Sequence, residues 1–219
     1  MKVADHFYVY LWDNPRENNC NTVFIDGKVP VLIDPGHLHR VPNLKERMIA
    51  DGVDPEKVKV VIVTHAHPDH FGGATAFKHA KTALSLQEEE FIEKVAAPMY
   101  ARQGAEMPNY RIDFYLQDGD LILGKHEFRI LLTPGHSPGG LSVYWPRYKA
   151  LFPGDVVFSQ SIGRVDLPGG DVKALQGSVQ KLSELEVDLI VPGHGPAIQG
   201  ASNVLKNFDF IKKAFFGAM

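Results

Sequence analysis

A single cysteine, Cys20, stands in this chain of 219 residues, so no internal disulfide can brace the fold. No uninterrupted apolar stretch approaches the roughly 20 residues that cross a bilayer. The opening MKVADHFYVY has no basic leader, no long apolar segment and no small-residue cleavage site. The expectation is a soluble, cytoplasmic protein without a membrane segment. Lysine and arginine form no block, and 23 of them against 26 Asp plus Glu leave a net charge of −3. The footprint of a nucleic-acid binder is therefore missing. Low-complexity tracts, Ser/Pro/Gly linkers and repeats of 20 to 50 residues are also missing, which predicts one compact domain over residues 1–219. With 44% apolar and 22% charged residues the chain has the composition of an ordered globular protein.

Short β-like runs open the chain: Thr22 to Ile25, a turn at Asp26-Gly27, then Val29 to Ile33 ending in a turn at Asp34-Pro35-Gly36. Leu44, Met48 and Ile49 predict one face of a short helix after Asn43, and Val58 to Val63 a buried strand. Ser85 and Glu88 match a capping box that opens a helix running to about Ala97, where Pro98 ends it. Met99 to Tyr115, with Tyr100, Tyr110 and Tyr115, has no clear period and reads as a loop. Strand patterns return at Leu121 to Leu123, Phe128 to Leu132, Leu141 to Trp145 and Ala150 to Phe152. Val172, Leu175, Val179 and Leu182 predict an amphipathic helix capped by Asp171, and Val187 to Val191 a further strand. Val204, Phe208, Ile211 and Phe215 predict a C-terminal helix after Asn203. The alternation is that of an α/β protein.

Four of these strands end in the same way, cut off by Pro, Gly or Thr and followed by a residue able to bind a metal. Val60 to Val63 runs into Thr64-His65-Ala66-His67-Pro68-Asp69-His70, and Phe128 to Leu132 into Thr133-Pro134-Gly135-His136. Ala150 to Phe152 runs into Pro153-Gly154-Asp155, and Val187 to Val191 into Pro192-Gly193-His194. Ligands of α/β proteins gather at strand ends, where loops converge. Taken singly, His136 and His194 are ordinary strand-end histidines and Asp155 a turn residue. Together they point to one centre. His65 and His67, two apart, face one side, while Asp69 and His70 lie beyond the bend at Pro68 and reach a neighbouring position, enough for two metals. Gly72-Gly73 is expected to let a helix begin close behind the site. His6, His37, His39, His79 and His126 lack this context and are read as surface residues or residues behind the ligands.

In these motifs the chain resembles the metallo-β-lactamase superfamily, from Leu32-Ile33-Asp34-Pro35-Gly36 through H-x-H-x-D-H to His136, Asp155 and His194. The resemblance covers nearly the whole chain. It implies a four-layer αββα sandwich, a first metal on His65, His67 and His136, a second on Asp69, His70 and His194, and Asp155 bridging. The bridging carboxylate is similar to the hydroxyacylglutathione hydrolase (glyoxalase II) branch rather than to the lactamases themselves. Two divalent ions, zinc first with iron or manganese as alternatives, would turn a shared water into a bridging hydroxide that hydrolyses a small-molecule thioester or ester. Asp69 would also orient that water or accept its proton. Without a Ser-His-Asp triad, and with Cys20 read as a small buried residue, no protein nucleophile competes with this chemistry.

Gly163-Arg164-Val165-Asp166 resembles short bacterial members of that branch. Typical glyoxalase II has a glutathione-binding Lys and Tyr where this chain has Arg164 and Asp166, and a C-terminal helical domain that this sequence does not show. Arg164 is read either as a substrate-anion site or as the partner of Asp166. The same G-R-x-D resembles persulfide dioxygenases, which would hold one iron on His65, His136 and Asp155. A lactonase and a non-catalytic metal-binding module are the other readings, and the sequence leaves the oligomeric state open.

Overall fold

The computed structural model describes residues 2–14 and 16–217. Its first sheet contains β1 (Lys2–Ala4), β2 (Phe7–Tyr10), β3 (Thr22–Ile25), β4 (Val31–Ile33), β5 (Val60–Ile62), β6 (Lys81–Ser85) and β7 (Phe114–Leu116), in that order. The strands from β1 to β4 pair antiparallel, and those from β4 to β7 pair parallel. The second sheet has the order β15 (Ile198–Gln199), β14 (Leu189–Ile190), β11 (Ala150–Phe152), β10 (Leu141–Trp145), β9 (His126–Leu132) and β8 (Gly119–Leu123). A two-stranded ribbon, β12 (Val157–Phe158) with β13 (Ser161–Ile162), follows β11.

Side-chain alternation along the strands sorts the apolar residues into three clusters. Val23, Ile25, Ile33, Val60 and Ile62 point inward and meet Phe128, Ile130, Val143, Trp145 and Phe152 of the second sheet. Phe7 sets its ring edge-on to Trp145 and Phe152, at 5.4 and 5.7 Å between centroids. Phe24, Leu32, Val61 and Leu84 point outward, under α1 (Val41–Ala50) and α3 (Leu86–Phe91). Leu131, Tyr144, Leu151 and Ile190 face α5 (Val172–Ser183) and α6 (Ala201–Phe216) on the other side. The layers run helix, sheet, sheet, helix. Where both faces are covered, at β3, β4, β5, β10 and β11, the strands are buried throughout and read as near-continuous apolar runs, whereas β8 and β9 alternate with exposed residues.

Several sequence expectations need correction. In α1, Leu44 and Met48 are buried but Ile49 is 64% exposed, since one residue turns a helix by about 100° and takes it off the shared face. Phe215 and Val172 lie exposed at the ends of their helical stripes. Pro98 does not end its helix. A wide turn at Ile92–Ala96, with Ala97 N bonding back to Ile92 O, leads into α4 (Ala97–Arg102), which carries Pro98 in its first turn. The extra residue in that turn eases the clash between the proline ring and the preceding carbonyls. The supposed loop from Met99 therefore starts as helix and closes as β7. Behind the metal motif, Gly72-Gly73 opens only a single 3-10 turn at Ala74–Ala76.

Candidate metal centre

Val63 still bonds Ala83 O beside β5, and at Thr64 the chain leaves the sheet. His65 and His67 follow in the loop, with Asp69 and His70 in the one-turn helix α2 (Pro68–Phe71). His136, Asp155 and His194 come after β9, β11 and β14. The structure brings all seven together. His65, His67 and His136 form one set able to hold a cation; His65, His70 and Asp155 form a second, and Asp69, His70 and His194 a third, each with its donor atoms within 4.8 Å of one another. His136 Nε2 lies 2.9 Å from His67 Nδ1, and His70 Nε2 lies 3.3 Å from His194 Nε2. Asp155 Oδ1 is 3.3 Å from His70 Nε2, while its Oδ2 is 3.5 Å from His136 Nε2 and 3.4 Å from His194 Nε2.

The far nitrogen of each ring fixes what the near one offers. His70 Nδ1 donates to Asp34 Oδ2 at 2.8 Å, His136 Nδ1 to the Arg164 carbonyl at 2.7 Å, and His194 Nδ1 to the Asn19 carbonyl at 3.0 Å. With Nδ1 facing an oxygen acceptor, each of the three rings points its Nε2 to the centre, the orientation in which histidines ligate metals. His65 Nδ1 lies 3.1 Å from Thr64 Oγ1, whose hydroxyl donates to Asp34 Oδ2 at 2.7 Å. Asp34 thus orients two ligands, one directly and one through Thr64. In the sequence Asp34 stands out only as part of the Asp34-Pro35-Gly36 turn, although it too is an acid closing an apolar strand. Asn18 was also missed: its Nδ2 donates to Asp69 Oδ2 at 2.6 Å.

The donor set fits divalent cations. His65 Nε2 and Asp155 Oδ1 are buried with no hydrogen-bond partner, and orphans of that kind are costly unless something else meets them. Burial alone would lower the pKa of His194, but hydrogen bonds to Asp155 and Asp69 outweigh it and raise it to about 9. His67 goes the other way, brought down to about 4 by burial and by His136 and His70 nearby. Burial pushes the Cys20 thiol well up, which leaves it a buried group bonded to the Asp34 carbonyl rather than a nucleophile.

Local backbone makes the convergence possible. Gly135 and Gly154 of the Pro-Gly pairs take φ of 134° and 53°, whereas Gly193 is needed for room. A Cβ there would sit 2.0 Å from Asp155 Oδ1 and 2.7 Å from His70 Cε1. Arg164 reaches the site mainly through its carbonyl on His136; its guanidinium is 68% exposed and grips Asp166 at 2.8 and 2.9 Å. His126 is a core residue rather than a surface one, stacked edge-on against Trp145 and bonded to Asp26 O at 2.8 Å. A cleft of about 410 Å³ opens over the centre, with Phe158 and Leu167 as its apolar wall. None of Tyr100, Tyr110 and Tyr115 lines it.

A family model described as the metallo-beta-lactamase superfamily matches residues 15–194. The chain belongs to that superfamily. Among its members, the chain is 34% identical over 192 residues to hydroxyacylglutathione hydrolase GloC of Haemophilus influenzae, covering 82% of this chain and 86% of that one. This likeness supports the glyoxalase II-like branch. The fold superposes on BLEG-1, a B3 metallo-beta-lactamase, with a TM-score of 0.77 and 29% identity over 94% of this chain and 99% of that one. It also superposes on TTHA1623, crystallised in a di-iron-bound form, with a TM-score of 0.69 and 31% identity over 86% and 93% of the two chains. The four-layer sandwich is thus the superfamily fold, and divalent-metal binding goes with it. Among the described residues no helix is long and apolar enough to cross a membrane.

Proposed function

We propose that this chain is a two-cation metallo-hydrolase that cleaves a small-molecule thioester, as glyoxalase II does. One observation carries the reading: the buried His65 Nε2, which has no hydrogen-bond partner, lies with the Asp155 carboxylate among donor atoms that form overlapping sets rather than one. Likeness to GloC supports the thioester. His65, His67 and His136 would hold one ion and Asp69, His70 and His194 the other, with Asp155 between them. When bound, such a pair makes a shared water acidic near neutrality and polarises the carbonyl under attack. Zinc is the first expectation, and the di-iron form of TTHA1623 keeps iron beside it.

The remaining work falls to the protein's own groups. Asp69 stays ionised, because the hydrogen bond to His194 and the charge of His70 outweigh the upward push of burial. Its Oδ2, steadied by Asn18, accepts an O–H from the attacking water and aims the water's oxygen at the thioester carbonyl. So low a pKa makes Asp69 an orienting group more than a strong base. Phe158 and Leu167 shield one side of the cleft from water. Arg164, at the rim, would meet an anionic end of the substrate in exchange for Asp166.

Metal counting, a thioester assay with an S-acyl glutathione and oxygen uptake, run on the same preparation, test this reading. Two metals per chain with thioester cleavage are expected, and His65→Ala should abolish both. One iron with oxygen consumption would favour a dioxygenase, lactone cleavage alone a lactonase, and metal without either reaction a binding module.

A further inference from the structure

Glu88 exposes none of its surface, and the chemistry above makes no use of it. The Ser85/Glu88 capping box forms only by half: Glu88 N donates to Ser85 Oγ at 3.2 Å, but the carboxylate does not turn back to the helix start. Instead its Oε2 accepts from Ala66 N at 2.7 Å and its Oε1 from Gly139 N at 2.6 Å. Ala66 lies between His65 and His67, and Gly139 is three residues beyond His136. One side chain therefore joins two ligand-bearing loops that leave different sheets.

The surroundings are built for that contact. Ser85 Oγ, at the N-cap of α3, donates to Gly139 O at 2.5 Å. A Cβ at Gly139 would stand 2.5 Å from Gln87 Cβ and 2.6 Å from Ser85 Oγ, so the loop rests directly on the helix. A carboxylate is a costly group to bury where an apolar residue would fill the space. Burial does push the pKa of Glu88 up, with the Ser137 hydroxyl and the two N–H groups opposing it. A role in geometry accounts for keeping it there.

We propose that Glu88 is a positioning residue that sets the spacing of the His65–His67 and His136 loops and so prearranges the three-histidine set for its cation. This rests on the metal-site reading above. The probe is zinc alone, followed by chelator competition. Of the three sets, an Asp69→Ala/His70→Ala background leaves only the three-histidine set complete, and a His67→Ala/Asp155→Ala background leaves only the Asp69, His70 and His194 set. Glu88→Gln, whose amide can accept from one loop only, should weaken zinc at the three-histidine set by at least about tenfold and at the other set by less than about threefold. Its cobalt(II) visible spectrum should change with it. Glu88→Asp, too short to reach both loops, should act in the same direction by about fivefold if Glu88→Gln does not fold. Leu182→Ala, a buried change in α5, serves as a destabilised control and should leave both affinities in place. Unchanged zinc binding at the three-histidine set in the Glu88 variants would overturn the proposal, as would equal losses at both sets or the same loss in the control. A wild-type chain that takes up no zinc would overturn the site reading first, and this proposal with it.

Discussion

Asp34 holds a left-handed backbone, φ 52°, and its carboxylate accepts from Thr64 N, Thr64 Oγ1 and His70 Nδ1 at 2.7 to 2.8 Å. A non-glycine residue in that conformation is strained by roughly 1–3 kcal/mol and persists where its surroundings demand it. The seven candidate ligands stood out in the sequence because they are ligand-type residues that follow the ends of apolar runs. Asp34, Asn18 and Glu88 were not, because their roles are fixed by partners 22 to 51 residues away in sequence. The two sides of the centre should also answer differently to pH. A cation taking His194 Nε2 must expel the proton that Asp155 and Asp69 hold there, so affinity at the Asp69, His70 and His194 set should climb as pH rises toward about 9. At His67, brought down to about 4, proton competition is spent above roughly pH 5. Linkage gives the companion effect. A raised folded-state pKa contributes stability that is complete below the ordinary 6.5 and lost as pH passes 9. Melting temperature of the metal-free protein should therefore fall over that interval while the loaded form stays level. Zinc competition and thermal melts across the range check both, and parallel curves for the two forms would contradict the assignment.

Helices were easier to foresee than their exact faces and ends. Apolar spacing placed α1, α5 and α6, since a buried stripe needs only its own period. It could not tell that Ile49 turns to water, nor that the wide turn at Ile92–Ala96 would carry the helix past Pro98, because both depend on packing beyond the segment. The cap of α5 was legible: Asp171 Oδ1 accepts from Lys173 N and Ala174 N at 2.8 and 3.0 Å. Asp171→Ala should cost about 1 kcal/mol, seen as a fall of about 2–4 °C in melting temperature for a chain of this length. Thioester turnover at room temperature should persist, because Asp171 touches none of the ligands.

The candidate ligands come from both sheets, His65 to His70 from the end of β5 and the other three from the ends of β9, β11 and β14. A cation held by them would tie the two halves of the sandwich together and so should stabilise the whole molecule. At a free concentration near a thousand times Kd the linkage is about 4 kcal/mol, so stripping the ions with a chelator should lower the melting temperature by on the order of 10 °C. Differential scanning calorimetry before and after chelation measures it, and an unchanged transition would show that the halves hold without the ions. The layered α/β architecture was readable from alternating strands and helices, whereas β1 and β7, edge strands with exposed residues, were not. His136 takes its anchor from the Arg164 peptide oxygen, and every amino acid has one. Replacing the side chain at 164 leaves that anchor in place, so the rim of the cleft can change its chemical taste while the cage beneath keeps its shape. New substrates can be tried at little risk to the reaction.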